Sequence, residues 1–92
     1  MTFRNIVKPF SETPAYRCPC CRCRTLHERG GYEICPVCFW EDDGQDDHDA
    51  DEVRDGPNGS LSLAHARRNF EQCGASDPTH QMSVRPPTET ER

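Results

Sequence analysis

Cys18-Pro19-Cys20-Cys21 and Cys35-Pro36-Val37-Cys38 are two short segments of one design, each a C-x2-C pair with proline after its first cysteine. Two residues between cysteines let the backbone fold back so that both sulfurs reach one ion at about 2.3 Å. The intervening amides then point at the thiolates and offset their charge. Proline presets the dihedral of such a turn at a place where no amide donor is needed. Thirteen residues separate the pairs, giving C-x2-C-x13-C-x2-C. Two turns of this kind supply four thiolates in a tetrahedron, which suits Zn2+ and also a rubredoxin-type iron. The predicted ligands are Cys18, Cys21, Cys35 and Cys38, around one structural zinc ion.

Two further cysteines complicate the first turn, because Cys20 and Cys23 also stand at C-x2-C spacing. Only Cys18 is followed by proline, as Cys35 is, and that parallel selects the Cys18/Cys21 register. Cys20 and Cys23 are then bystanders, one half-buried and one exposed; the alternatives are a second metal or a thiol switch. His27 is a possible substitute ligand, but four cysteines already fill a tetrahedral shell, which leaves it a surface histidine.

Such a metal answers a structural need. The chain has 92 residues, 33% hydrophobic against 29% charged, with eight prolines and six glycines, and so carries little apolar area for a core. A staple is required, and cysteines offer disulfides or a metal. The N-terminal residues Met1 to Phe10 lack the unbroken apolar run of a secretory signal, and no segment is long and apolar enough to span a bilayer. A cytoplasmic location follows as the expectation. Thiols stay reduced there, and an odd count of seven agrees with ligands rather than a disulfide framework.

The elements that must position the cysteines can be sketched. Thr25-Leu26 and Tyr32-Glu33-Ile34 read as the arms of a β-hairpin turning at Gly30-Gly31, with Tyr32 and Ile34 on one apolar face. Farther on, Ser62 suits an N-cap and Gly74 the position past a helix end. Between them Leu63, Ala66, Phe70 and Cys73 recur at three and four residues. That places one helix at about 62–73, packing through Leu63 and Phe70, with Phe39 and Trp40, onto the hairpin. The fold class is a small metal-stabilised α+β domain: a zinc-ribbon or rubredoxin-like β-hairpin with a four-cysteine site plus one C-terminal helix. Residues 1–15 read as an extended leader, 16–82 as the domain and 83–92 as a mobile tail.

Charge is distributed unevenly. Residues 41–55 hold nine acids and one arginine, a local −8 that exceeds the whole chain's −5. Acids at that density repel one another, so the stretch reads as a loop held extended in water, adding little to stability. Asp47, Asp49 and Asp51 resemble alternate calcium ligands, but Glu52 stands where an EF-hand turn needs glycine.

The residues also carry a resemblance. Tyr16-Arg17-Cys18-Pro19-Cys20-Cys21, then Tyr32 to Asp43 with Cys35-Pro36-Val37-Cys38-Phe39-Trp40, then Asn58, Ser62-Leu63, Ala66-Arg67, Asn69-Phe70 and Arg85-Pro86-Pro87 are similar to the bacterial cysteine-rich CPCC family. The resemblance implies a small zinc-binding domain over about residues 16–87. That family usually follows its cysteine run with glycine and an aromatic, where this chain has Arg22-Cys23, and has an aromatic where Cys73 stands.

Several functions compete on this reading. A structural zinc module that binds another protein needs only the site and a surface, for which the acidic loop is the candidate and a basic protein the expected partner. A nucleic-acid-binding ribbon would use Arg17, Arg22, Arg24 and Arg29, against the repulsion of the flanking −8 segment and a pI near 5.2. A thiol redox protein lacks the βαβ setting in which a redox C-x-x-C opens a helix. Hydrolysis at zinc needs an open coordination position, which four thiolates close. The chain therefore reads as a non-enzyme.

Overall fold

The computed structural model describes residues 14–92. Most of the leader expected at 1–15 lies outside them. The frame is a small α+β arrangement with a two-stranded antiparallel sheet, β1 (Tyr16–Arg17) and β2 (Arg24–Leu26). Two 3-10 turns (Asp47–Asp49 and Pro78–Ser83) flank one α-helix, α1 (Leu63–Cys73).

The hairpin is not where the sequence placed it. Its strands flank the first cysteine pair, with Arg17 opposite Arg24, instead of crossing between the pairs. The second pair is wrapped in the same way by a bridge between Ile34 and Glu41. Each position of the first turn has its counterpart seventeen residues on. Arg22 N–H donates to Cys18 O and Phe39 N–H to Cys35 O, both at 2.8 Å. Cys18 N–H donates to Cys23 O at 2.8 Å and Cys35 N–H to Trp40 O at 2.9 Å. The residue after the second cysteine is left-handed in both, Arg22 at φ +68° and Phe39 at φ +72°. The chain thereby reverses tightly enough to pair on either side of each turn.

That repeat explains the core. Cys20 and Cys23 occupy the positions that Val37 and Trp40 hold in the second turn, and all four are buried. The expectation that one of the two cysteines is half-buried and the other exposed is corrected on this point; each is a small apolar filler at a core position. Leu26, Leu63 and Ala66 complete the cluster, with Phe70 partly buried against it. Tyr32 and Ile34, expected to form the apolar face, are instead exposed, and the partly buried Glu33 between them binds His27. Of the two glycines in this segment only Gly30 is left-handed, φ +74°, and its N–H donates to Asp42 Oδ2 at 2.7 Å.

Helix α1 forms between the two caps legible in the sequence. Ser62 Oγ accepts from His65 N–H, and Gly74, at φ +81°, donates its N–H to Phe70 O. These bonds satisfy end groups the helix cannot satisfy itself. Burying Leu63 completely contributes about 1.5–3 kcal/mol of transfer free energy.

The acidic segment is folded, not extended. Asp42 is fully buried and accepts from Arg29 Nε (2.9 Å), Gly30 N–H (2.7 Å) and Gly44 N–H (3.2 Å). Arg29 also reaches Asp46 Oδ2 at 2.7 Å. Buried Gln45 donates through Nε2 to the carbonyls of Asp49 (2.9 Å) and Glu52 (2.8 Å), closing the loop on itself. Asp47 Oδ1 is shared by Arg67 (2.7 Å) and Arg22 (3.2 Å), and Arg54 pairs with Asp49. Arginines from three other segments and from the loop itself thus draw the acids together.

Residues 83–92, read from composition as a mobile tail, lie as a strap across both cysteine turns. Arg85 N–H donates to Pro36 O at 3.2 Å and Arg24 N–H to Glu91 O at 2.6 Å. Between these ties Arg85 makes a two-pronged ion pair with Glu91, each contact 2.8 Å.

Candidate metal centre

The two turns face each other, and their sulfurs converge. The Sγ atoms of Cys18, Cys21, Cys35 and Cys38 all lie within 4.8 Å of one another. Cys18 and Cys38 approach to 3.6 Å, Cys21 and Cys35 to 3.7 Å. A tetrahedron with metal–sulfur bonds of about 2.3 Å has edges of about 3.8 Å, so the donor set matches a four-thiolate site in type and size. Three of the four cysteines are buried and Cys21 is partly so. Cys20, Cys23 and Cys73 are outside this group; Cys23 Sγ turns toward Cys21 O at 3.8 Å, and Cys73 Sγ toward Ala75 O at 3.7 Å.

Donors surround the second pair. Val37 N–H points at Cys35 Sγ (3.4 Å) and Trp40 N–H at Cys38 Sγ (3.5 Å), as the paired turns require. Thr25 Oγ1 donates to Cys35 Sγ at 3.0 Å. That hydroxyl was not singled out by sequence reasoning. It is buried on β2 and reaches the second pair from the hairpin that carries the first, so no local pattern could name it.

Without a cation the four thiols divide one another's protons. Hydrogen bonds from Cys18 first, then from Cys21 and Cys38, with Thr25 adding its own, hold Cys35 far below the ordinary thiol range. The contacts with Cys18 lead in pushing Cys21 and Cys38 up. Ionising all four together would concentrate negative charge in a largely buried site. A divalent cation removes that obstacle, which is why such a cluster binds metal and loses protons in one step.

His27 is turned away from the sulfurs, its Nδ1 at 2.6 Å from Glu33 Oε2 and its N–H on Glu33 Oε1 at 2.8 Å. Arg29, grouped by sequence with a basic surface, points instead into the acidic loop.

The family model for the cysteine-rich CPCC proteins matches residues 16–91. The chain belongs to the cysteine-rich CPCC family. No curated protein matches it. The CPCC match begins at β1 and ends in the strap, so it takes in both cysteine turns, the folded acidic loop, α1 and the tail residues that tie the turns together. Among the described residues no helix is long and apolar enough to cross a membrane.

Proposed function

We infer that this CPCC chain is a structural zinc module that works by binding another protein and is not itself an enzyme. The observation that carries the reading is the closed donor set: four cysteine sulfurs at tetrahedral spacing, fixed by two equivalent turns. Four thiolates leave no coordination position for water or substrate, which argues against metal-assisted hydrolysis. Zn2+ is the ion chosen, because a d10 cation accepts this geometry without redox chemistry. When bound it supplies a cross-link between two hairpin turns that a thin apolar core leaves under-stabilised. Seven free cysteines suit a reducing compartment, the cytoplasm.

Native mass spectrometry of freshly purified protein is expected to show one zinc per chain. Stripping it with a strong chelator should collapse the amide NMR dispersion, since binding at such sites contributes about 10–16 kcal/mol in apparent terms. Single serine substitutions of Cys18, Cys21, Cys35 or Cys38 should lose metal and fold, whereas Cys20→Val and Cys23→Ser should keep the metal. Retained dispersion after chelation would refute the staple; bound iron would refute the choice of ion.

A further inference from the structure

Five of the loop's nine acids, Asp42, Asp46, Asp47, Asp49 and Glu52, are engaged by Arg22, Arg29, Arg54 and Arg67. Among the described residues Arg17, Arg24, Arg68 and Arg92 have no side-chain carboxylate within ion-pair distance, and all but Arg68 meet at the corner of β1, β2 and the strap. Arg17 and Arg24 are directly opposite each other across the sheet and both exposed. Like charges in that position repel. Neither has a side-chain carboxylate within ion-pair distance among the described residues, in a chain that carries −5 overall. Arg17 Nη1 donates to Arg22 O at 2.7 Å and to Arg92 O at 3.2 Å, which brings the backbones of two more arginines to the same corner. Arg22 and Arg92 are exposed there as well, and Tyr16, half exposed, stands next to Arg17 on the same edge.

We propose that this arginine corner is the surface through which the module binds, and that its occupant is an extended acidic segment of a partner protein. The inference rests on the reading of the chain as a protein-binding zinc module and names the partner's chemistry. Charge complementarity selects the occupant, since guanidinium groups recognise carboxylates two-pronged and Arg and Tyr are the residues enriched where proteins bind one another. The geometry selects its shape. β2 is covered on its far side by Glu91, while the outer edge of β1 has no strand beside it among the described residues, so an extended chain can lie along it. The acidic loop limits its length. Asp47 sits against Arg22, so a long polyanion running past the corner meets repelling carboxylates, whereas a short acidic peptide ends before them.

The test uses the full zinc-loaded chain and fluorescence anisotropy with a labelled peptide of about ten residues rich in Asp and Glu. A lysine-rich peptide and a single-stranded oligonucleotide of similar length serve as competing probes. The acidic peptide should bind, and binding should weaken when salt rises from about 50 to about 200 mM, as exposed charge contacts are screened. Arg24→Ala should lower affinity at least about fivefold and leave the fold intact, since the Arg24 side chain makes no hydrogen bond or ion pair among the described residues. Arg68→Ala, which removes the same charge from the exposed side of α1, should leave binding unchanged. No binding, an equal loss in Arg68→Ala, or tighter binding of the oligonucleotide or the lysine-rich peptide would each overturn the proposal. Zinc content and amide dispersion, measured on the same samples, report separately on the metal module itself.

Discussion

At the scale of single residues, the left-handed position that follows each cysteine pair is occupied in two different ways. Arg22 and Phe39 share a backbone conformation, φ +68° and φ +72°, that costs an L-residue roughly 1–2 kcal/mol. Phe39 has a return for it: its ring stacks on His80 at 4.2 Å between centroids. Arg22 offers only an exposed contact with Asp47, of the kind worth about 0–1 kcal/mol. The two glycine substitutions should therefore differ in sign. Arg22→Gly is expected to raise stability by about 0.5 kcal/mol, a few degrees in Tm, after the entropy of the added glycine is subtracted. Phe39→Gly should lower it by about 1–2 kcal/mol through loss of the stack and its buried area. Thermal melts of the two zinc-loaded variants check this, and equal shifts would show that the backbone conformation alone governs both sites.

At the scale of elements, the loop between the second turn and α1 is a charged structure organised on Asp42. Its carboxylate is fully buried and accepts from one arginine and two amides, at positions twelve and thirteen residues back and two residues ahead in the chain. Removing one partner of such a group leaves the other stranded. Asp42→Ala should destabilise the fold by about 2–4 kcal/mol, below the full buried-pair cost because Arg29 is partly exposed. Neutralising exposed Asp51 should change almost nothing. Chemical denaturation of both variants decides the matter, and a small effect of Asp42→Ala would mean that the loop is only a solvated connector. Composition pointed to such a connector because it counts charges, whereas their pairing depends on arginines brought from the first turn, the intervening segment and the helix.

At the scale of the whole molecule, the strap ties the same two turns that the proposed metal would cross-link, and the two would answer acid differently. Glu91 is lowered to about 2 by its hydrogen bonds with Arg85, helped by the Thr88 amide. A carboxyl depressed in the folded state contributes stability above its ordinary range, lost as pH falls toward the folded value. As long as the fold lasts, the strap's ion pair should hold down to about pH 2. Protons compete for thiolates from near neutrality downward, so metal is expected to leave first. Following zinc release with a colorimetric chelator while NMR tracks the Glu91 carboxyl should find the metal gone before Glu91 titrates. In a chain that has unfolded with metal loss, Glu91 should then titrate near an ordinary glutamate value. A depressed Glu91 value surviving in the metal-free chain would show that the strap forms without the turns it spans.

The parts of this protein that its sequence determined by itself are those governed by neighbours in the chain. C-x2-C with proline dictates a turn that presents two sulfurs, and Ser62 and Gly74 bound a helix because each satisfies groups three or four residues away. The CPCC resemblance was likewise carried by contiguous motifs. What tertiary structure alone decided depended on partners far apart in sequence. Which strands flank which cysteines was hidden because the hairpin arms read between the pairs belong to two different turns. Cys20 and Cys23 became core because Val37 and Trp40 fill the equivalent places in the other turn. Thr25 reaches Cys35 only once the turns face each other, and Glu91 meets Arg24 only after the chain has passed around the helix. Short-range geometry could name the four sulfurs; the environment of each, and the surfaces left uncommitted, followed from long-range packing and ion pairing.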